Sequence, residues 1–405
     1  MVRIKNQRHS KASFLYALSR MMERSAYYGL RSIVVLYMID GFLKMEETDA
    51  LSVYGWFSIS LLASQIVGAL IGDLLIGNKS AIIIGAITQA IGSFSLCIPS
   101  TMGLYLGLSL IILGGGLYSP NLISNFGKLY LTKTKLLDAG FTFFYFSVNL
   151  GVFLGVLIIG YIGEAYGWTL GFSLAGIVML LSAVPIILSK SKVTEPITEN
   201  KTIISQRIIN ISIAIVAAGL FWSVYELGSI LIFDVQLMLR EFSSFDIPIA
   251  LWTSIANALF IPISITAIII WTFFYSSQFV KLTIGLITAA ISFSTLFFLP
   301  ETTSELHLTL YLISLLFLTI SEIHIAPILY SVMTQFTNPK YLAILISLVF
   351  IPMRVFSIVL GVFNSSDNNT NIGVKVGVIA ITITSIGLLF YITWGKKNSL
   401  KQSAD

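Results

Sequence analysis

The chain has 405 residues, 56% of them hydrophobic and only 11% charged, with a mean hydropathy of +0.90. That composition excludes an ordinary soluble domain and points to an integral membrane protein. Lys and Arg number 24 against 19 Asp and Glu, but the positive charges punctuate alternate loops and form no patch for nucleic acid. The single cysteine, Cys97, permits neither a disulfide within one chain nor a thiol metal cluster.

Strand-type alternation is missing, so a barrel is not supported. Apolar runs between polar breakers predict helices over 13–40, 50–76, 79–98, 102–130, 138–166, 168–189, 205–236, 246–275, 279–299, 305–336, 340–363 and 371–395. Each is long enough for a bilayer crossing, which takes about 20 residues. The leading MVRIKNQRHSK is basic, but the segment after it is too long and too charged for a cleaved signal peptide, so helix 1 is expected to stay.

Charge sorts the connections. Arg3, Lys5, Arg8 and Lys11 precede helix 1; Lys79, Lys133, Lys190, Lys340 and Lys396 mark every second connection after it. The opposite connections carry Glu46, Glu47, Glu164, Glu241, Asp246 and Glu301. By the positive-inside rule both termini are expected to be cytoplasmic, in a multi-pass protein of the plasma membrane, the inner membrane of a bacterium. The most polar connection, SKSKVTEPITENKTI, falls at mid-chain. The expected division is 1–189 as one six-helix bundle, 190–204 as a cytoplasmic linker and 205–405 as a second bundle. Such an all-α membrane protein, with about twelve spans in two six-helix bundles, has the layout of the major facilitator fold.

The stretch RMMERSAYYGLR, residues 20–31, puts Arg20, Glu23, Arg24 and Arg31 inside an apolar segment. A charge at mid-bilayer costs about 3 kcal/mol on insertion scales, so such residues face a bundle interior or an aqueous cavity. At about 3.6 residues per turn, Arg20, Arg24, Tyr27 and Arg31 share one stripe, with Glu23 and Tyr28 beside it. Between helices 2 and 3, GALIGDLLIGNKS carries Gly68, Asp73, Gly77 and Lys79 in the pattern of a loop motif of facilitator carriers, read as a gate-structuring element.

Further motifs resemble the proton-dependent oligopeptide transporter family. Glu23-Arg24, Tyr27-Tyr28-Gly29 and Arg31 are similar to its first-helix signature E-x-x-E-R-F-x-Y-Y-G-x-R. GGGLYSPNLISNFGKLY resembles its fourth-helix stretch, and DAGFTFFYFSVNLGVFLG its fifth, with Asn149 in step. Glu226 in FWSVYELGS stands where the family carries an acid on helix 7, Glu322 in SEIHIAPILYS on its helix 10 glutamate, and Asn257 at a polar position of helix 8. The resemblance implies secondary transport of di- and tripeptides driven by protons, with protons as the only coupling species and no other cofactor. It implies that Arg31 pairs with Glu226, that Glu322 receives the peptide amine, and that Tyr27, Tyr28, Asn149 and Asn257 line the substrate site. Two positions depart from the family: Arg20 stands in place of its first glutamate, and Ser119 in place of its helix 4 lysine.

Structural roles stand beside each functional one. Arg20, Glu23, Arg24 and Ser119 form a coupling network or a static buried one, Tyr27 and Tyr28 pack or donate, and Asn149 and Asn257 bond between helices. Glu322 pairs with a substrate amine or with Arg354, the cation on helix 11. His324, two residues on, points to another face and is expected to be structural. The alternatives to peptide symport are a carrier of the same fold with another substrate or without proton coupling, and a non-transporting sensor or membrane partner of another protein. No phosphate-binding loop, metal-ligand spacing or nucleophile with a base argues for an enzyme. The expected partners are the lipid bilayer and a small substrate.

Overall fold

A computed structural model describes residues 2–4, 7–40, 43–190, 204–242, 249–299, 305–365 and 372–402. Side chains at 240–258 and 364–371, and from 394 onward, lie outside that description, as does the expected linker but for its ends.

The described residues form twelve helical rods. They are α1 (Lys11–Asp40), α2 (Glu47–Ile71, continued by a π-helical turn Gly72–Ile76), α3 (Asn78–Ser95), α4 (Thr101–Lys128), and α5 (Leu137–Gly155, continued through a second π-helical turn to Tyr166). Next come α6 (Trp168–Leu188), α7 (Ile204–Phe242), α8 (Ile249–Phe273), α9 (Gln278–Leu296) and α10 (Glu305–Phe336). The last two are α11, broken into Leu342–Leu348 and Phe350–Ser365, and α12 (Ile372–Gln402). Among the described residues, 9 helices are long and apolar enough to cross a membrane. α1 is not among them because Arg20, Glu23, Arg24 and Arg31 interrupt its apolar run.

Local chemistry sets several of the helix ends. Ser100 caps α4 by accepting from the Gly103 amide at 3.0 Å, satisfying one of the donors a helix N-terminus leaves open. Gly77, between α2 and α3, has φ +80, a left-handed conformation that costs glycine little and other residues more. Large apolar side chains also cover the outside of the rods, with Trp56, Leu75, Met102 and Phe390 each at least 69% exposed. On a soluble protein such a surface would aggregate; here it is the face for hydrocarbon.

Chain contacts separate two compact units. One comprises residues 7–200 with 337–348, and the other 1–6, 201–336 and 349–405. In the first unit α1 is central, packing on α5 and α6, and its Ala26, Leu30, Ile33 and Val34 enter a core shared with Ile111 of α4 and Phe172 of α6. α2 and α4 meet closely at Gly68, where a Cβ would lie 2.2 Å from the Gly116 carbonyl oxygen, so no larger residue fits. The first segment of α11 packs on α2 and α4 of this unit. In the second unit α9 and α10 form the most extensive helix pair, and residues 2–3 pair antiparallel with 274–275.

Residues 8–13, ahead of and entering α1, are tied to the end of α4. The Lys133 ammonium donates to the Arg8 carbonyl at 2.9 Å, and His9 Nδ1 lies 2.8 Å from the Tyr130 hydroxyl. Burial, with the Lys133 charge nearby, lowers the His9 pKa from its usual 6.5. The native state therefore favours the neutral ring: its contribution is present above pH 6.5 and is lost as the pH falls through the depressed native value. Thermal stability is expected to drop below pH 6.5 in the wild type, and His9→Gln should flatten that drop when melting is measured from about pH 5 to 8.

Candidate functional site

In the first unit, helical spacing brings the α1 charges onto α4. Glu23 is fully buried; its Oε2 accepts from Arg20 Nη1 at 3.2 Å and Arg24 Nε at 2.7 Å, and its Oε1 from Arg24 Nη2 at 2.8 Å. Both guanidiniums also donate to the Ser119 hydroxyl, at 2.9 and 3.0 Å. Arg20, Glu23, Arg24 and Ser119 thus form one hydrogen-bonded cluster. Two guanidiniums on one carboxylate leave a net charge near +1. The arginines have aromatic neighbours as well: Arg20 lies 6.0 Å from the Phe144 ring centre, and Arg24 4.9 Å from that of Tyr27.

Further along α1, Arg31 donates from Nε to the Tyr54 hydroxyl. Its guanidinium carbon sits 5.6 Å from the Tyr28 ring centre and 5.3 Å from that of Tyr54. Tyr27 and Tyr28 meet edge to face at 5.2 Å, so both act as packing and as a cradle for cations. Asn149 donates to the Tyr145 carbonyl one turn back at 3.0 Å, a bond within its own helix.

The loop motif forms a polar knot in the same unit. Asp73 Oδ1 accepts from Asn78 Nδ2 at 2.8 Å, and its Oδ2 from the Ile344 amide at 3.0 Å, near the start of the first α11 segment. A carboxylate at that position complements the helix dipole. Asn78 also donates to Asn121 and accepts from Lys128, each at 2.7–2.8 Å, while Lys79 donates to the Ser189 carbonyl at 2.9 Å.

In the second unit Glu226 of α7 is paired with Arg354 of α11: Oε1 accepts from Nη1 at 2.6 Å, and Oε2 from the Ser357 hydroxyl at 2.7 Å. The two side chains are 50% and 41% exposed, Arg354 the more so. Glu322 of α10 lies close enough to Tyr225 for its charge to act on that hydroxyl. His324 points elsewhere, donating from Nδ1 to the Ile320 carbonyl at 2.8 Å and standing edge-on to Trp271 at 5.2 Å. Asn257 lies on α8, but its side chain is outside the described residues. Tyr54, Ser357 and the Arg354–Glu226 pair are additions to the residues the sequence marked. Tyr54 and Ser357 are common residue types in apolar runs, whereas the Arg354 charge itself was a visible signal.

The twelve rods and intramembrane charges define the class: a multi-pass membrane protein with the fold of a secondary carrier. Residues 79–218 match the POT family. The uncharacterized transporter YclF of Bacillus subtilis is 32% identical over 189 residues, 45% of this chain and 38% of that protein. Dipeptide and tripeptide permease A of Yersinia pestis is 32% identical over 176 residues, 43% of this chain and 35% of that protein. The match therefore spans little more than a third of the length of either relative. Among solved structures, a POT family transporter in complex with 5-aminolevulinic acid superposes with a TM-score of 0.65 at 22% identity, covering 96% of this chain and 98% of that one. A peptide transporter POT in complex with sulfate gives 0.63 at 22% identity, covering 97% and 96%. Residues 79–218 are thus similar to the POT family, and the two relatives bear the names of a transporter and a permease.

Proposed function

We propose that this chain is a secondary transporter of short peptides, a proton-coupled symporter working by alternating access. In the second unit Glu226 and Glu322 offer the ammonium end of a zwitterion two acids. The observation that carries the reading is the Glu226–Arg354 pair: in helices long and apolar enough to span a bilayer, both side chains stay about half exposed. Contact with hydrocarbon would cost each charge several kcal/mol, so the exposed side faces water, as the wall of a substrate cavity does. The loop charges favour cytoplasmic termini and a bacterial inner membrane.

A second reading, transport of the same cargo without a proton, draws on the Glu23 cluster. Both oxygens of that carboxylate are already engaged by the guanidiniums of Arg20 and Arg24, the arrangement of a fixed structural cluster. Uptake of labelled di- and tripeptides into proteoliposomes, with and without an inward proton gradient, decides between them. Gradient-driven accumulation supports symport, equal uptake in both conditions supports the second reading, and no uptake of any peptide rejects both.

A further inference from the structure

We propose that Arg354 reads the free carboxylate of the cargo, and that the Glu226–Arg354 pair opens to admit a zwitterion, Glu226 taking the ammonium end and Arg354 the carboxylate. The inference rests on the transport reading and deepens it by assigning both ends of the cargo a receptor within one unit.

Glu23 and Glu226 are held in opposite ways. Glu23 is fully buried and both its oxygens are bonded to guanidiniums, a geometry in which removing one partner strands a charge. Glu226 and Arg354 are 41% and 50% exposed, and an ion pair in that setting is worth about 0–1 kcal/mol, little enough to be exchanged. The bond to Glu226 comes from Nη1 of Arg354, and a guanidinium carries five donors in a planar fork suited to a carboxylate. Ser357 donates to the second oxygen of Glu226 and holds that carboxylate in place when the arginine turns away. The exchange also balances charge: a neutral pair opens around a neutral zwitterion, leaving no unpaired charge in the membrane interior.

The test is inhibition of labelled dipeptide uptake in proteoliposomes by one dipeptide as its free acid and as its C-terminal amide. The wild type is expected to prefer the acid. Arg354→Gln should lower the ratio of amide to acid inhibition constants by about tenfold, the loss of one charge-assisted contact. Arg354→Lys, which keeps the charge and the partner for Glu226, should lower it severalfold and guards against misfolding of the glutamine variant. Glu226→Gln should keep the acid preference while losing the preference for a free over an acetylated amino terminus. An unchanged ratio in Arg354→Gln, or in Arg354→Lys where the glutamine variant does not fold, overturns the inference alone and leaves Arg354 a fixed counter-ion. A wild type that takes up no peptide overturns the transport reading as well.

Discussion

Glu322→Gln is expected to reduce peptide uptake about a hundredfold while the protein still assembles and melts close to the wild type. Glutamine keeps the shape and polarity of the side chain, so α10 loses no packing; only the negative charge goes. The preceding residue, Ser321, is fully buried and donates to the Gly285 carbonyl on α9 at 2.7 Å, which fixes the helix on that side independently of Glu322. The ammonium group of a cargo, desolvated and deprived of one of its two acids, loses several kcal/mol, the range measured when one partner of a buried charge pair is removed. Initial uptake rates, normalised to reconstituted protein, report the effect, and melting in detergent reports the fold. Wild-type uptake by the variant would remove Glu322 from the substrate site.

Glu23→Gln is expected to act on stability. The substitution leaves Arg20 and Arg24 converging on Ser119 with no carboxylate between them, inside a bundle from which Glu23 is fully shielded. Breaking a buried pair from one side costs about 3–5 kcal/mol, mostly the cost of the charges left behind. The melting temperature should fall by several degrees. The test of the cause is Arg20→Met combined with Glu23→Gln: removing a cation together with the acid should recover part of the loss, giving a non-additive cycle. If the double variant falls by the sum of the singles, the cluster is not the coupled unit its hydrogen bonds describe.

The helices and the α1 cluster were legible because their signals are local. Apolar runs announce spans, and Arg20, Glu23 and Arg24 lie within one turn or so of one another on one helix, so turn geometry alone brings them together. Ser119 was marked only as a departure from the family motif; its role as shared acceptor needs α4 laid against α1. The Arg354–Glu226 pair joins residues 128 positions apart; the sequence marked both charges but matched Glu226 with Arg31 and Arg354 with Glu322. Periodicity says which face of a helix is polar but not which neighbour it meets. The same limit hid Tyr54, which among many aromatic residues gave no sign that its hydroxyl holds Arg31.

The segment 337–348 clusters with the first-half helices although it lies deep in the second half of the chain, and Asp73 holds its Ile344 amide. Swapping halves between related carriers at the mid-chain junction would therefore split a matched lock and key. A hybrid made that way should work only if this twelve-residue insert travels with α2 and α4, and evolutionary change on either side of the lock should be answered on the other.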